Sequence, residues 1–384
     1  MSFEAMAANR LPILRKSNKI LYKCGLANTI SDVLASREGW ALTERDDWTF
    51  FWVSRDWMNS QYDRHKFQER QLVCHFRNDF ELTRKDFLIK NYKKMKKLTD
   101  KGASESKKEY NFVPSSYVLP AEYHLFVEEF RKFPSNTIWI MKPVAGAQGR
   151  GIFLFKRLKD IQEWKKQDNG GVEALPYIVQ CYVQNPYLIS GKKFDVRLYV
   201  LVTSFRPLNV WVHREGFARF SHSRYDPSSV DDAFVHLTNV AIAKTAADYD
   251  PERGLKWSLF KLFRYFRAIH GHATDSHCFE LYGYDILFDE SLKSWLLEVN
   301  ASPSLTASSQ EDFELKSRVL NHMLDVLDLE NKRTGKETKI GNFDLLVRNG
   351  TPVELCRKPE RTAPLFTPSL NIRLGNFKAP PTAS

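Results

Sequence analysis

Two apolar segments joined by a short polar turn constrain this sequence most strongly. A symmetric antiparallel hairpin would place Asp285 opposite Glu298, and the alternation of side chains along a strand would turn Asn300 to the same face. The two segments are Tyr-Asp-Ile-Leu-Phe at 284–288 and Trp-Leu-Leu-Glu-Val-Asn at 295–300. Two carboxylates and an amide oxygen are hard ligands suited to magnesium, and without a cation the carboxylates would repel each other. The alternative is a solvent-facing acidic pair.

A second charged cluster lies on a segment with strict two-residue periodicity, residues 192–202. Lys193, Asp195, Arg197 and Tyr199 would share one strand face, and the other face would be apolar. Charges on an otherwise apolar strand are costly in a core unless they are paired or bind a ligand. The pattern therefore predicts a ligand-binding face, with an exposed ladder of salt bridges as the alternative.

A glycine-rich loop between apolar segments gives a third signal. Gly146, Gly149 and Gly151 follow Lys142, and glycine lets backbone N–H groups approach phosphate oxygens. An apolar strand pattern, not a helix, follows the loop, which excludes a Rossmann turn. The absence of Gly-Lys-Ser/Thr excludes a P-loop, and no His-Arg-Asp or Asp-Phe-Gly motif indicates a protein kinase. The loop resembles the phosphate lids of kinase or ATP-grasp type, and an ordinary tight hairpin is the alternative.

Two smaller groups remain open from the residues alone. The segment 180–183 follows a strand pattern and would either present its backbone to adenine or simply end the strand. The segment 234–240 contains His236, Thr238 and Asn239, which are more often structural than catalytic in such a setting.

Composition narrows the class of partner. Lys and Arg number 57 against 46 Asp and Glu, a net charge of +11, which implies an acidic partner. No nucleic-acid-binding signature accompanies the basic run 84–108, for which a solvated helix face is the alternative. The five cysteines form no CxxC pair, and neither a signal peptide nor an apolar stretch of membrane-spanning length is evident. We therefore expect a cytosolic protein that binds neither nucleic acid nor membrane.

The order of predicted elements indicates a mixed α/β protein with four parts. Residues 1–36 form a lead-in, 37–120 an N-terminal subdomain, 121–329 a central and C-terminal catalytic core, and 330–384 a basic, mostly flexible tail. Strands are predicted within 39–57, 137–202, 207–225, 281–288 and 295–300. Helices are predicted at 121–132, 255–269 and 311–329.

Five motifs in this order make the sequence resemble the tubulin-tyrosine-ligase-like family, over residues 39–306. They are Lys-Pro at 142–143, Gln-Gly-Arg-Gly-Ile at 148–152, Lys-Phe-Asp-Val-Arg at 193–197, His-Leu-Thr-Asn at 236–239 and Leu-Glu-Val-Asn-Ala-Ser-Pro-Ser-Leu at 297–305. The resemblance implies an ATP-grasp fold with antiparallel sheets, a glycine-loop hairpin and interlocked N-terminal, central and C-terminal subdomains. It also implies ATP and Mg²⁺ as cofactors.

The same resemblance implies a role for each matching residue. Magnesium would be held by Asp285, Glu298 and Asn300. The γ-phosphate and the substrate carboxylates would face Arg197, Arg219, Thr238 and Asn239. ATP would be bound by Lys85, Lys142, the loop residues Gln148, Gly149, Arg150 and Gly151, the adenine-side residues Gln180, Cys181, Tyr182 and Val183, and Lys193 and Asp195.

The implied function is a ligase that adds glutamate to glutamate side chains of tubulin C-terminal tails through an acyl phosphate. Tubulin, free glutamate and accessory subunits would be its partners, at the cytoskeleton and in the axoneme or basal body of cilia and flagella. The rivals are a glycine or tyrosine ligase of the same fold and a catalytically weakened microtubule-binding relative. The last is suggested by the segment between Asn239 and Cys278, which we expect to be about one helix shorter than in relatives.

Overall fold

The computed structural model describes residues 19–101, 111–146, 148–161, 176–205, 207–249, 256–258, 279–301 and 303–353. The strands are β1 (Ile20–Cys24), β2 (Trp40–Leu42), β3 (Phe50–Trp52), β4 (Leu72–Val73), β5 (Ser116–Leu119), β6 (Trp139–Pro143), β7 (Phe153–Phe155), β8 (Tyr177–Cys181), β9 (Leu188–Ile189), β10 (Lys192–Phe205), β11 (Leu208–Phe220), β12 (Lys256–Ser258), β13 (Glu280–Phe288), β14 (Ser294–Asn300), β15 (Lys339–Ile340), β16 (Phe343–Arg348) and β17 (Thr351–Pro352). The helices are α1 (Thr29–Ser36), α2 (Arg55–Ser60), α3 (Phe80–Thr83), α4 (Lys85–Lys101), α5 (Tyr123–Phe130), α6 (Ala233–His236), α7 (Val240–Ala243) and α8 (Gln310–Leu327).

The first of two compact units combines, among the described residues, 19–77 with 279 and 304–337. Its sheet is parallel, in the order β2-β1-β3-β4. Helix α8 belongs to this unit because its apolar residues repeat at helical spacing and are buried. Arg37, at the end of α1, donates to Asp325 at 3.1 Å and to Glu330 at 2.6 Å. The buried residues of α8 include Leu315, Val319, Leu320, Met323 and Leu324.

A small antiparallel sheet opens the second unit, in the order β5-β8-β6-β7. Helix α5 packs on it through Phe126, whose ring meets Trp139 edge-on at 5.1 Å. Both side chains are fully buried. Strands β6 and β7 pair antiparallel, with Trp139 opposite Phe155, and the glycine-rich segment lies between them in the chain. The end of β6 and the start of β8 therefore lie together next to the loop.

The larger sheet of the second unit is antiparallel and holds the charged strands. Its main path is β14-β13-β10-β11-β16-β15, and β9, β12 and β17 pair with β10, β11 and β16. The apolar face of β10 contributes Phe194 and Val196 to a core with Ile189, Ala218 and Phe220. The opposite face of β10 carries Asp195 and Arg197, so the predicted alternation is confirmed.

Several expected elements are confirmed and others differ. The strands at 281–288 and 295–300 and the helix at 311–329 match β13, β14 and α8 within two residues. Residues 256–258, expected in a helix, instead form β12 because they pair with the edge of β11 that faces away from β10, and 259–269 lie outside the described residues. The antiparallel expectation does not hold for the first unit, whose sheet is parallel.

The C-terminal part also differs from the flexible tail expected after residue 329. Lys339–Ile340, Phe343–Arg348 and Thr351–Pro352 are strands, and β16 buries Phe343, Leu345 and Val347 against β11. The alternation of apolar residues in β16 is short and flanked by polar residues, so the overall composition of the segment does not reveal a strand. Residues 354–384 lie outside the described part. The subdomain boundaries expected at residues 36, 120 and 329 stay predictions.

Candidate active site

The hairpin β13–β14 brings the predicted acidic pair together. Asp285 lies directly opposite Glu298, as predicted, and the register shifts immediately after this pair. The amide Nδ2 of Asn300 lies 3.4 Å from Asp285 Oδ2 and 3.5 Å from Glu298 Oε1. Three oxygen-bearing side chains therefore converge on one face of the hairpin.

Two arginines approach Asp285 from the neighbouring strands. In the sheet register, Arg197 of β10 lies opposite Asp285 and Arg219 of β11 lies opposite Asp195. Arg197 makes a bidentate pair with Asp285, with Nε to Oδ1 at 2.5 Å and Nη2 to Oδ2 at 3.0 Å. Arg219 bridges Asp195 and Asp285, reaching Asp285 Oδ2 at 2.8 Å. The result is a compact group of two cations and two anions.

The arginines control the protonation of Asp285. Burial alone would raise its pKa, but Arg219 and Arg197 outweigh burial and hold the pKa of Asp285 well below its ordinary value. The carboxylate is therefore ionised at neutral pH although it is only 1% exposed. Because the two arginines and the two aspartates balance in charge, this group contributes no net charge to the site.

Gly283 makes room for this arrangement. A Cβ on Gly283 would lie 2.9 Å from Cδ of Arg197 and 3.1 Å from Cβ of Pro303. Arg197 therefore lies across β13 only because residue 283 has no side chain. Sequence reasoning missed this residue, although a glycine within an apolar strand is the signal of a close approach.

Lys142 and Lys193 are two site lysines whose hydrogen-bond partners, within the described residues, are neutral. Lys142 Nζ donates to Gln180 Oε1 at 2.7 Å, and Lys193 Nζ donates to Tyr182 Oη at 2.9 Å and to the His236 carbonyl at 3.0 Å. Burial lowers the pKa of Lys142 to about 8 and, with repulsion from Lys142, the pKa of Lys193 to about 7. A bound anion would therefore stabilise the charged form of both lysines.

Lys85, the first residue of α4, reaches the same place from another element. Its Nζ lies 3.4 Å from Glu298 Oε2 and donates to the Gly146 carbonyl at 3.2 Å. Lys85 thus connects the start of the glycine loop with the acidic hairpin. Its side chain is 16% exposed, and that of Glu298 is 31% exposed, so this part of the site is open to solvent.

The glycine loop lies against the segment that carries Thr238 and Asn239. Gly149 has a φ of +81°, and a Cβ there would meet Asn239 Oδ1 at 3.0 Å and Ile242 Cγ1 at 3.1 Å. Gly151 also has a positive φ, +70°. Asn239 and Thr238 are half-buried, whereas Gln148 and Arg150 are exposed. In the described residues, neither of these two exposed side chains contacts the charged cluster.

A family model described as the tubulin-tyrosine ligase family matches residues 63–274 and 267–334. The chain belongs to the tubulin-tyrosine ligase family. This membership makes it an ATP-dependent ligase, and the two matched segments together include every residue assigned above.

Several known proteins are similar to this tubulin-tyrosine ligase family member over most of its length. It is 68% identical to the probable tubulin polyglutamylase ttll-9 of Caenorhabditis elegans, over 94% of this chain and 93% of that protein. It is 45% identical to the probable tubulin polyglutamylase TTLL9 of Mus musculus, over 86% and 84%. The probable alpha-tubulin polyglutamylase Ttll1 of Tetrahymena thermophila is 36% identical, over 86% and 93%.

The expected shorter segment between Asn239 and Cys278 stays a prediction, because most of it lies outside the described residues. The alignment with the nematode relative extends over 388 positions, which exceeds the 384 residues of this tubulin-tyrosine ligase family chain. That relative therefore has residues without a counterpart here.

The residues expected to hold adenine in this tubulin-tyrosine ligase family member differ in how deeply they are buried. Tyr182 is buried, Cys181 and Val183 are half-buried, and burial raises the pKa of Cys181 to about 11. The side-chain amide of Gln180 is hydrogen-bonded to Lys142 and Ser116. Among the described residues no helix has both the length and the apolarity needed to cross a bilayer.

Proposed function

We propose that this ligase adds glutamate to glutamate side chains in the acidic tails of tubulin, using an ATP-grasp arrangement of its two sheets. The observation that carries the proposal is the pair of lysines, Lys142 and Lys193, whose partners are neutral. Since Arg197, Arg219, Asp195 and Asp285 balance one another, these lysines leave the site with a surplus of positive charge. A nucleoside triphosphate is a ligand whose negative charge would match this surplus.

The acidic hairpin fits a magnesium ion. Asp285, Glu298 and Asn300 converge, and the ammonium of Lys85 already lies 3.4 Å from Glu298, so this face attracts cations. Asn300 would present Oδ1 in place of Nδ2 after rotation about its terminal torsion. Bound there together with the nucleotide, magnesium would neutralise charge on the phosphate oxygens.

The chemistry requires activation of a carboxylate, which is a poor electrophile. The side-chain carboxylate of the acceptor would attack the γ-phosphorus of ATP, forming an acyl phosphate and releasing ADP. The amino group of free glutamate would then attack the acyl carbon, and phosphate would leave as the isopeptide bond forms. Arg197, Arg219, Thr238 and Asn239 would face the γ-phosphate and the carboxylates, where positive charge and donors stabilise the anionic states.

The remaining assignments concern the adenine, the ribose and the cover over the phosphates of ATP. The backbone of the segment 180–183 would hold adenine, and Asp195 would lie towards the ribose. The glycine loop, residues 148–151, would cover the phosphates. Arg150 is exposed, so we expect it to reach the nucleotide only when the loop moves inward.

An acceptor tail would bind along helix α4. Lys85 begins this helix inside the site, and Lys90, Lys94 and Lys97 are exposed at spacings of four and three residues, so they share one face. Lys93 is not part of this row, because it pairs with Glu122 at 2.8 Å and lies over the ring of Tyr117. We propose that this lysine row guides the acidic tail of tubulin towards the glycine loop, at the cytoskeleton of cilia and flagella.

The test is incorporation of labelled amino acids. Purified chain, with and without accessory subunits, is incubated with microtubules, MgATP and labelled glutamate, glycine or tyrosine in turn. We expect glutamate to enter intact tubulin and not tubulin from which the C-terminal tails have been removed by proteolysis. Faster entry of glycine or tyrosine would overturn the choice of donor. ATP binding without transfer of any of them would instead identify a non-catalytic microtubule-binding relative.

A further inference from the structure

A chain of hydrogen bonds links Lys142 to a backbone carbonyl through two side chains. Lys142 Nζ donates to Gln180 Oε1 at 2.7 Å, Gln180 Nε2 donates to Ser116 Oγ at 2.8 Å, and Ser116 Oγ donates to the Pro114 carbonyl at 2.6 Å. The direction is fixed from both ends, because an ammonium only donates and a carbonyl only accepts. The sheet register sets it up, since Ser116 of β5 lies opposite Gln180 of β8.

A second chain of the same form starts at Lys193. Lys193 Nζ donates to Tyr182 Oη at 2.9 Å, Tyr182 Oη lies 3.0 Å from His236 Nδ1, and His236 Nε2 lies 2.9 Å from the Ser229 carbonyl. The carbonyl requires a proton on Nε2, so in neutral His236 the Nδ1 atom accepts from Tyr182. Burial lowers the pKa of His236, which favours this neutral form.

A second tyrosine lies beside this chain of hydrogen bonds. Tyr225 is the other hydroxyl beside Tyr182, and its own proton goes to the Gln184 carbonyl at 2.6 Å. His236 is 1% exposed, and its ring meets the rings of Tyr182 and Tyr225 nearly edge-on. The imidazole is therefore held on both nitrogens and by both rings.

We propose that Ser116 and His236 are positioning residues that orient the two site lysines towards the nucleotide phosphates through Gln180 and Tyr182. The inference rests on the proposed nucleotide site. A lysine side chain has several free torsions, and ordering it costs conformational entropy. A carboxylate partner would order the lysine but neutralise its charge. A neutral relay that ends on a backbone carbonyl orders the ammonium and leaves its charge for the phosphate.

Ser116 and His236 are the outer residues of the two hydrogen-bond chains, and neither has to contact ATP in this arrangement. Ser116 is 4% exposed, and its hydroxyl both accepts from Gln180 and donates to Pro114, so its bonds point away from Lys142. The bonds of His236 likewise run from Tyr182 to Ser229. We therefore expect an effect of either residue on nucleotide affinity to pass through the lysine at the end of its chain, and the double-mutant cycles below test this.

The experiment is a pair of double-mutant cycles read out by titration calorimetry with MgATP. Ser116→Ala is combined with Lys142→Met, and His236→Phe with Lys193→Met, each in the full chain. We expect each outer variant alone to weaken ATP binding about 3- to 10-fold, the range for one lost hydrogen bond. In the lysine-less background the same outer variant should change the dissociation constant less than twofold, because the group it positions is gone.

Two conservative variants and two controls separate positioning from folding. Ser116→Thr keeps the hydroxyl, and His236→Asn places an acceptor near the position of Nδ1, so both should recover most of the affinity. Ser221→Ala removes a buried hydroxyl that donates to the Ser223 carbonyl at 2.8 Å, and His213→Gln removes a buried imidazole. Both controls should bind ATP like the parent chain, and thermal melting identifies any variant that is unfolded.

The possible results distinguish the inference from the function on which it rests. If Lys142→Met and Lys193→Met bind MgATP like the parent chain, the proposed nucleotide site is wrong. If the lysine variants weaken binding but Ser116→Ala and His236→Phe do not, the site stands and the positioning role is refuted. The role is also refuted if the outer variants are equally harmful with and without the lysine, since that result describes a general loss of structure.

Discussion

Asp285 faces Glu298 across the hairpin while its own carboxylate is bound by Arg197 and Arg219. Two adjacent carboxylates would ordinarily repel each other and take up a proton. The guanidinium groups prevent this at Asp285, whose pKa is held below its ordinary value against the opposing effect of burial. Glu298 has no such arginine pair among its described contacts; its cationic neighbour is Lys85. Glu298 is therefore the carboxylate that is freer to exchange its partner for a metal ion.

Replacing Glu298 with Gln tests the metal assignment. The amide keeps the shape but removes the charge, so Mg²⁺-dependent nucleotide affinity should fall and ligation should be lost by at least about 100-fold, the size of effect seen when a charge-stabilising group is removed. Nucleotide binding measured in EDTA should change little. Glu290→Gln, in the exposed turn of the same hairpin, is the control. Parent-level turnover in Glu298→Gln would remove this residue from the site.

The lowered pKa of Lys193 predicts a pH dependence of ATP binding. Its pKa is about 7 without a ligand, so the amine is charged below that pH and increasingly neutral above it. A phosphate needs the charged form, and affinity should therefore fall as pH rises, by at most about tenfold per unit for one proton. Calorimetry between about pH 7.5 and 9, where phosphates are fully ionised, should also detect proton uptake.

The control for this titration is Lys193→Arg. A guanidinium remains charged over the whole range, so the part of the pH dependence that belongs to residue 193 should disappear. A dependence that is equally steep in both proteins would place the titrating group elsewhere. The opposite trend is expected for stability without ATP. The unfolded chain binds the proton of Lys193 up to its ordinary pKa, so the free energy of unfolding should rise between about pH 7 and 10.

Gly283 should be intolerant of even the smallest side chain. The methyl group of Gly283→Ala would lie 2.9 Å from Arg197 Cδ, so Arg197 or β13 must shift. Overpacking of this kind typically costs about 1–3 kcal/mol of stability, and displacement of Arg197 should also reduce the ligation rate. Gly25→Ala is the matched control, because no atom lies within 4 Å of the added methyl. A Gly283→Ala chain with parent-like melting temperature and rate would contradict the packing argument.

The lysine row of α4 makes a prediction about salt. Reversing Lys90, Lys94 and Lys97 to Glu should weaken microtubule binding and flatten its dependence on ionic strength, because exposed charges are screened beyond about 8–10 Å at physiological salt. The matched control reverses three exposed basic residues of another segment, Lys332, Arg333 and Lys336, with the same change in net charge. Equal losses in both triple variants would indicate a response to overall charge and would contradict a specific surface.

The part of the site that depends on strand register was predictable from sequence. Period-two alternation placed Asp195 and Arg197 on one face, and a symmetric turn placed Asp285 opposite Glu298, as the structure shows. These inferences need only neighbouring residues. The hydrogen-bond chains behind Lys142 and Lys193 were not predictable, because Ser116 and His236 come from β5 and α6, far away in sequence. Gln180 shows where prediction from the sequence ends: its position at the end of a strand was clear, but the hydrogen-bond partners of its side chain were not.

The fold was predictable where one pattern was long and regular. Helix α8 and strands β10, β13 and β14 follow strong periodicities, whereas β15 and β17 are two residues long and give no period to detect. Lys256–Ser258 is apolar at Trp257 but becomes a strand through its pairing with β11, a long-range contact. The grouping of α8 with the N-terminal sheet is likewise a long-range packing result.

The pairing of β16 with β11 has a consequence for biosynthesis. Val210–His213 of β11 pair with Phe343–Val347 on the edge that faces away from β10, so the ribosome synthesises β11 long before its partner on that edge. Until then the growing chain carries an open sheet edge on β11, the strand that bears Arg219, with unpaired N–H and C=O groups that could join another chain. Completion of the catalytic sheet is thereby delayed until translation has passed residue 348. A premature stop codon upstream of Phe343 should accordingly yield an aggregating polypeptide and not a smaller working ligase.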